Sequence, residues 1–132
     1  MTESPSSTAR VALVAEDDRD IRELVTAKLT SAGFEVIAVS DGNAALAMAR
    51  ERSPDVALLD VMMPGLSGLE LVTMLRSDSR TSSIPVILLT AKSQEFDVEA
   101  GLAHGAADYV VKPFSPRELV QRVNAVLSQA GM

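Results

Sequence analysis

Acidic residues follow two short apolar segments of the chain at the point where each segment ends. Glu16 and Asp17 come directly after the apolar run 11–15, and Asp60 comes directly after the run 56–59. If both runs are strands of a parallel sheet, their carboxyl ends lie at one edge, where ligands bind in open α/β folds. The spacing therefore predicts a cluster of carboxylates. Simpler interpretations remain open, since Asp60 can merely terminate a strand and Glu16 and Asp17 can be solvated acids at a helix start.

Two further polar side chains stand in corresponding positions later in the chain. Thr90 follows the apolar run 85–89, and Lys112 follows the run 108–111. Three clustered carboxylates repel one another unless a cation lies among them, and magnesium suits them because it takes oxygen ligands and keeps several waters. A lysine and a hydroxyl would then bind a phosphoryl group. Taken singly, Thr90 can be a helix-start residue and Lys112 a surface lysine, so their shared placement at strand ends carries the prediction.

These residue types together suit phosphoryl transfer onto a carboxylate. The acceptor should be the carboxylate on the most rigid support, and the buried character of the run before Asp60 indicates such a support. Magnesium would take two carboxylates, one backbone carbonyl of the loop after Asp60, and water. Asp18 is assigned differently, because an aspartate just before a predicted helix is explained as its N-cap.

The pattern of apolar residues predicts five strands that alternate with five helices. The first helix is expected to end before Gly33, which suits the C′ position. Ser115, Pro116 and Glu118 have the spacing of a capping box with an N-terminal proline, so the last helix is predicted to be the best capped. The predicted strands are 11–15, 34–39, 56–59, 85–89 and 108–111. Strict alternation predicts an α/β fold with a mostly parallel sheet and helices on both faces.

The composition of the whole chain limits the classes of function. Its 132 residues fit one domain, predicted to span residues 10–130 after a flexible polar tail at 1–9. The 12 basic and 18 acidic residues give a net charge of −6, so direct binding of nucleic acid or of an anionic membrane is not expected. The absence of cysteine excludes disulfides and thiolate metal sites. Because the N-terminus lacks the apolar core of a signal peptide, a cytoplasmic protein is expected.

The motifs at the strand ends resemble those of one family, the receiver domains of two-component response regulators. They occur in the order and spacing of that family, and the likeness extends from Arg10 to Gln129. The motifs are Glu16-Asp17, Leu59-Asp60-Val61-Met62-Met63-Pro64-Gly65, Leu89-Thr90-Ala91 and Asp108-Tyr109-Val110-Val111-Lys112-Pro113-Phe114. The resemblance implies a flavodoxin-like, doubly wound sheet of five parallel strands in the order 2-1-3-4-5, with helices on both faces.

The resemblance also implies a signalling function that uses Mg²⁺ as cofactor. Asp60 would be the residue phosphorylated by a histidine kinase or a phosphotransfer protein, and its carboxylate would also bind the metal. Asp17 would bind Mg²⁺ directly, Glu16 through water, and Met62 through its backbone carbonyl. Such a domain is a phosphoacceptor rather than an enzyme, although it assists its own phosphorylation and dephosphorylation.

The ends of the fourth and fifth strands would carry the response to phosphorylation. The resemblance makes Thr90 and Lys112 the phosphoryl-binding residues and Tyr109 an aromatic switch that turns inward as Thr90 moves. It also implies that the Lys112–Pro113 peptide bond is cis. The surface that changes would be formed by the fourth helix, the fifth strand and the fifth helix, and a downstream protein would bind there.

The last strand and helix are most similar to receivers that dimerise when fused to winged-helix DNA-binding domains. Asp108 and Arg122 match one charge pair of that dimer face. Glu118 matches another, but Val98 stands where its basic partner would be. A monomer, or at most a weak phosphorylation-dependent dimer, is therefore expected. An excised receiver of a longer DNA-binding regulator would have the same sequence features and remains an alternative.

Two functions of other classes are also alternatives. A phosphatase of the haloacid-dehalogenase kind uses a strand-end aspartate and magnesium, but it needs a second acid two residues later, where Met62 stands. A flavin- or nucleotide-binding module needs a glycine-rich loop after the first strand, where the acids of this chain would repel a phosphate. A small phosphodonor separates the three: stoichiometric labelling indicates a receiver, turnover a phosphatase, and neither a binding module.

Overall fold

Strands and helices alternate along the described part of the chain. The computed structural model describes residues 9–91 and 95–130, with the backbone alone at 95–98 and at 130. The predicted tail at 1–9 lies outside the described residues except for Ala9. The strands are β1 (Val11–Ala15), β2 (Glu35–Val39), β3 (Val56–Asp60), β4 (Val86–Ala91) and β5 (Asp108–Lys112). The helices are α1 (Arg19–Ser31), α2 (Gly42–Arg52), α3 (Gly68–Arg76), α4 (Glu95–Ala103) and α5 (Pro116–Ala130).

The five strands form one parallel sheet in the order β2-β1-β3-β4-β5. β1 pairs with β2, where Val11 lies opposite Glu35, and with β3, where Ala12 lies opposite Val56. β4 pairs with β3 on one side and with β5 on the other. The α/β fold, the parallel sheet and its strand order are therefore confirmed. Because β1 and β3 are neighbours, their carboxyl ends lie side by side.

Helices cover both faces of the sheet, and alternate strand side chains contact different helices. In β1, Leu13 and Ala15 belong to an apolar cluster with residues of α2 and α3, whereas Ala12 and Val14 belong to a cluster with residues of α1 and α5. All 5 residues of β3 are buried, as expected of a central parallel strand. The strand that ends in Asp60 is thus packed on both sides. Of the helices in the described ranges, none is long and apolar enough to cross a membrane.

Local signals at both ends of α1 agree with the sequence-based expectations. The Asp18 carboxylate accepts hydrogen bonds from the backbone N–H groups of Asp20 and Ile21, so the N-cap assignment is confirmed. Gly33 follows the helix with a φ of 100°, a left-handed conformation that glycine adopts without steric cost. The side chain of Asp18, in the β1–α1 turn, therefore fixes the start of α1.

The full capping box predicted for α5 is found instead at α3. Ser67 Oγ accepts from the Glu70 N–H, and the Glu70 carboxylate accepts from the Ser67 N–H. At α5 the Glu118 N–H donates to Ser115 Oγ at 3.0 Å, but the Glu118 carboxylate lies 3.6 Å from the Arg122 guanidinium. An ion pair one turn along the helix therefore competes with the cap for this carboxylate.

Three strands extend beyond their predicted ends, and this places candidate site residues inside the sheet. β3 includes Asp60, β4 includes Thr90 and Ala91, and β5 includes Lys112. Asp60 lies opposite Leu89, and Ala91 lies opposite Lys112, in parallel register. Backbone pairing continues past the last apolar residue, which a pattern of apolar side chains does not reveal. The backbone of each of these residues is therefore held by neighbouring strands.

Candidate functional site

The first part of the site is the turn between β1 and α1. Glu16 is fully buried, and its backbone N–H donates to the Val39 carbonyl at 3.1 Å. The Glu16 carboxylate accepts from the Asp18 N–H at 3.0 Å. Arg22, near the start of α1, donates to the Glu16 carbonyl at 2.9 Å and reaches the Asp17 carbonyl at 3.5 Å. Because Asp17 itself is exposed, the turn presents one buried and one exposed acid.

The second part of the site is Asp60 at the end of β3. The residue is 4% exposed, and its Oδ1 accepts from the Met62 N–H at 3.3 Å. Carboxylate oxygens of Glu16, Asp17 and Asp60 all lie within 4.8 Å of one another. The structure therefore brings the three predicted acids close enough to contact a single cation.

Lys112, at the end of β5, supplies positive charge to the same site. Its Nζ lies 2.8 Å from Glu16 Oε1 and 3.2 Å from Asp60 Oδ1. Burial lowers the pKa of Lys112, but the Glu16 and Asp60 carboxylates outweigh burial, and the net pKa is raised. The Lys112–Pro113 peptide bond is cis. The lysine is therefore a permanent cation that contacts two buried carboxylates.

The acidity of Asp60 differs from that of an ordinary aspartate. Burial raises its pKa to about 7, a hydrogen bond and the charge of Glu16 act in the same direction, and the charge of Lys112 opposes them. The Lys112 ammonium does not outweigh burial and the neighbouring acid, so the Asp60 carboxyl keeps its proton to a higher pH than an ordinary aspartate does. A divalent cation among the carboxylates would oppose this shift, because it favours the ionised form of Asp60.

Thr90 and Tyr109 occupy the two strands beyond Asp60. Thr90 is fully buried on β4, between the strands that carry Asp60 and Lys112, and its hydroxyl donates to the Ala91 carbonyl at 3.1 Å. Tyr109 is half-buried and packs against the apolar cluster that contains residues of α2 and α3. The polar end of β4 is therefore next to the acidic site, and Tyr109 lies one strand further toward the edge of the sheet.

The loop between β3 and α3 is held close to Asp60 by a glycine. The Gly68 N–H donates to the Val61 carbonyl at 3.0 Å. A Cβ atom at Gly68 would lie 2.6 Å from the Asp60 carbonyl oxygen, so a larger residue cannot occupy this position without a backbone shift. The hydrogen bond between Gly68 and Val61 closes the loop between them and so restrains it. Met62 lies in this loop and is 59% exposed.

The donor atoms of the site suit a hard divalent cation. The three carboxylates offer oxygen ligands, which magnesium prefers. Glu16 Oε1 is a buried oxygen to which no group in the described ranges gives a hydrogen bond of good geometry, although the Lys112 ammonium is its ion-pair partner. Such an oxygen can still accept a hydrogen bond from a metal-bound water. The residues present therefore fit Mg²⁺.

Charged residues on the outer side of β5 and α5 pair within the chain. Arg122 Nη1 lies 3.0 Å from both carboxylate oxygens of Asp108, and Nη2 lies 3.6 Å from Glu118. Val98 occupies the position at which a basic dimer partner of Glu118 would be expected, and its side chain lies outside the described part of the chain. The residues that match a dimer face are thus engaged with one another in a single chain.

The motifs, the sheet order and the edge site can be compared with known protein families. The profile described as the response regulator receiver domain matches residues 12–124. The chain belongs to this family. Receivers of this kind are components of two-component systems and are generally signalling domains rather than catalytic enzymes. The phosphatase alternative is not favoured by this result.

Solved structures share the fold of this receiver. The chemotaxis response regulator CheY4 of Vibrio cholerae superposes with a TM-score of 0.85 at 35% identity and covers 90% of this chain and 99% of its own. The receiver domain of the Francisella response regulator 1452 gives a TM-score of 0.82 at 37% identity, with 91% and 98% coverage. The predicted flavodoxin-like, doubly wound fold is thereby confirmed.

Curated relatives of this receiver are longer proteins. The DNA-binding response regulator MtrA of Mycolicibacterium smegmatis is 46% identical over 115 residues, which are 87% of this chain and 49% of MtrA. The phosphate regulon transcriptional regulatory protein PhoB of Pseudomonas aeruginosa is 46% identical over 119 residues, which are 90% of this chain and 52% of PhoB. The receiver spans about half the length of these relatives.

Arg22 contacts the site and was not among the predicted site residues. An arginine near a helix start is usually solvated, so its type alone does not indicate a contact with the preceding turn. Its position four residues after the N-cap Asp18 is the available signal, because residues at that spacing lie on the same side of a helix. Sequence reasoning also treated Lys112 as a phosphoryl-binding group only, whereas it contacts Glu16 as well as Asp60.

Proposed function

We propose that this receiver accepts a phosphoryl group on Asp60 from a histidine kinase or a phosphotransfer protein. One observation carries the proposal: Asp60 is a buried carboxylate with two other acids within 4.8 Å and an ammonium group at 3.2 Å. Such a carboxylate is a rigidly held nucleophile beside groups that can neutralise the charge of an incoming phosphoryl group.

The proposed reaction exchanges one bond at phosphorus for another. An Asp60 oxygen forms an O–P bond while the P–N bond of a phosphohistidine on the partner breaks, and the electron pair leaves with the imidazole nitrogen. Lys112, which contacts Asp60 in the structure, then pairs with a phosphoryl oxygen. Attack of water on the acyl phosphate releases inorganic phosphate and restores the carboxylate. The domain thus assists both its phosphorylation and its dephosphorylation.

Four groups would hold Mg²⁺: the side chains of Glu16, Asp17 and Asp60 and the backbone carbonyl of Met62. When bound, the ion neutralises charge on the phosphoryl oxygens. Asp17 is assigned the direct contact because it is the exposed acid of the turn. Glu16 is assigned the water-mediated contact because its carboxylate already contacts Lys112 and the Asp18 N–H.

Thr90 and Tyr109 would transmit the event to a binding surface. The Thr90 hydroxyl, which donates to the Ala91 carbonyl, would instead donate to a phosphoryl oxygen. Tyr109 would then turn further inward into the space that Thr90 leaves. The face formed by α4, β5 and α5 changes shape as a result, and a downstream protein binds it. A charge of about −1.5 to −2 on the phosphoryl group is enough to shift a two-state equilibrium of this kind.

The proposed domain comprises residues 10–130, and we propose that it acts in the cytoplasm through a protein partner. Its net charge of −6 disfavours direct contact with nucleic acid. A second candidate is the receiver part of a longer DNA-binding regulator. That candidate is favoured by the 46% identity to MtrA over 49% of that protein.

The proposed phosphorylation can be tested by intact-protein mass spectrometry after incubation with acetyl phosphate. We expect one phosphoryl adduct with Mg²⁺ present and none with a chelator. Asp60→Asn should abolish the adduct. Asp18→Asn is the matched control, because it removes an acid next to the site while asparagine preserves the N-cap. An unchanged, magnesium-dependent adduct on Asp60→Asn would refute the proposal, and continuous release of phosphate in large molar excess over protein would favour a phosphatase.

A further inference from the structure

Arg22 is the one side chain in the described ranges for which a hydrogen bond to the carbonyl groups of both acids in the β1–α1 turn is observed. Its Nη1 donates to the Glu16 carbonyl at 2.9 Å and reaches the Asp17 carbonyl at 3.5 Å. The side chain is half-buried, in contrast to Arg19 on the same helix, whose side chain is 78% exposed and pairs with Glu23. Arg22 therefore contacts the backbone of the turn rather than a carboxylate.

The turn holds its two acids in different ways. Glu16 is fixed by its N–H bond to Val39, by the bond from the Asp18 N–H to its carboxylate, and by burial. Asp17 is exposed, so the direction of its carboxylate depends on the conformation of the backbone that carries it. The contact from Arg22 acts on that backbone, through the carbonyls of Glu16 and Asp17.

We propose that Arg22 is a positioning residue that orients the Asp17 carboxylate toward Asp60 for cation binding. This inference rests on the proposed function, since it concerns the same Mg²⁺ site. Groups that orient metal ligands from outside the coordination sphere are often nearly as important as the ligands, and their loss typically weakens metal binding about 10–100-fold.

The two possible roles of the Arg22 guanidinium, as a nearby charge or as a positioning group, predict opposite changes in Mg²⁺ affinity when Arg22 is replaced. A guanidinium that acts only through its charge repels Mg²⁺, so its loss should tighten binding. A guanidinium that positions Asp17 should, when lost, weaken binding. The sign of the change in affinity therefore distinguishes the two roles, and a general loss of stability alone would not produce weaker binding in a protein that remains folded.

The test is a calorimetric titration of the whole chain with MgCl₂, together with the melting temperature in chelator. Arg22→Met keeps an unbranched apolar stem and removes the donors, and we expect a Kd about ten-fold higher than that of the wild type. Arg22→Lys restores one donor and should recover part of the affinity. Arg19→Met makes the same change of charge on the same helix without contacting the turn, and its Kd should stay within about two-fold of the wild type.

Each outcome of the titrations shows whether or not Arg22 positions the Asp17 carboxylate. Weaker binding by Arg22→Met with partial recovery in Arg22→Lys supports the proposal, provided that both variants melt cooperatively above the titration temperature. If Arg22→Met does not fold, Arg22→Gln is titrated in its place, because it also removes the guanidinium but keeps a polar side chain, and an affinity equal to that of the wild type overturns the proposal. Unchanged or tighter binding by Arg22→Met also overturns it, while the proposed function stands. Failure of the wild type to bind Mg²⁺ would instead refute the proposed function.

Discussion

Asp60 is held in an environment that suits its proposed reaction and opposes its own ionisation. Burial and the neighbouring Glu16 raise its pKa from 3.8 to about 7. An acid with a raised pKa binds a proton more tightly in the folded than in the unfolded protein. Its contribution to the free energy of unfolding is therefore fully present below the unfolded pKa and is lost as the pH rises through the folded pKa. The metal-free protein should lose stability between these two values.

Replacement of Asp60 by asparagine should remove this loss. In chelator at about pH 7.5, Asp60→Asn is expected to raise the free energy of unfolding by on the order of 1 kcal/mol, because an uncharged amide is not repelled by Glu16 and Asp17. The gain should shrink toward about pH 5, where the wild-type site retains a proton. Urea unfolding at several pH values measures both effects.

A control for this experiment is Asp41→Asn, which replaces an N-cap aspartate on α2 that accepts from the Ala44 N–H. Asparagine is an equally good N-cap, so stability should change little across the same pH range. Parallel pH profiles for the wild type and Asp60→Asn would show that the carboxylate of Asp60 is not the group that titrates with folding.

At the scale of elements, the entry to α3 restrains the backbone of Asp60. Ser67 and Glu70 fix the helix start by a reciprocal cap, and Gly68 brings the helix against the end of β3. Because the Gly68 N–H donates to the carbonyl of Val61, the residue after Asp60, a movement of the start of α3 would displace the backbone next to the site. The helix thus acts as a support for the loop that contains Met62.

Gly68→Ala should therefore destabilise the protein, although alanine is the better helix former in open positions. The added Cβ would lie 2.6 Å from the Asp60 carbonyl oxygen. Overpacking of this kind typically costs about 1–3 kcal/mol, and here the displaced atoms belong to the site, so affinity for Mg²⁺ should fall as well. Thermal melting and calorimetric titration report the two effects.

Ser67→Ala is the matched comparison for Gly68→Ala. It removes the cap at the adjacent residue and should cost about 1 kcal/mol, but it adds no atom against Asp60 and should leave Mg²⁺ affinity nearly unchanged. A Gly68→Ala protein as stable as the wild type, or an equal loss of affinity in both variants, would contradict the role assigned to this contact.

The elements were predictable because their signals are local. Apolar runs and helical stripes indicate all five strands and helices, and Asp18 and Gly33 mark the ends of α1 correctly. The full capping box was predicted at the wrong helix, because sequence spacing does not reveal that Glu118 pairs with Arg122. The contact of Arg22 with the β1–α1 turn was missed for a similar reason. A long flexible side chain has many possible partners, and only the packed structure selects one.

At the scale of the whole molecule, the charges on the outer face of β5 and α5 are paired internally. Arg122 contacts Asp108 and Glu118 of its own chain. A dimer that used these residues would have to replace those pairs with equivalent pairs between chains. Since an exposed ion pair contributes only about 0–1 kcal/mol, the exchange offers little net stabilisation.

We therefore expect a monomer before phosphorylation and at most a weak dimer after it. Sedimentation at low micromolar concentration, with and without beryllofluoride and Mg²⁺, measures the change. Arg122→Ala and Arg117→Ala form a matched pair on α5, and neither should alter the sedimentation of a monomer. A tight activated dimer that Arg122→Ala breaks and Arg117→Ala does not would contradict this expectation and favour the DNA-binding regulator.

The parallel sheet also fixes the order in which the site is completed during synthesis. Every strand pair is parallel, so each joins segments separated by a helix, and such non-local pairing slows folding. The ribosome releases Glu16, Asp17 and Asp60 well before Lys112, which lies on the edge strand β5. A nascent chain that has paired β1 with β3 thus brings three acids together before its own lysine is available. The last strand to emerge carries the lysine that partly offsets the charge of the site, so a chain that still lacks β5 would hold three clustered acids without their ammonium partner.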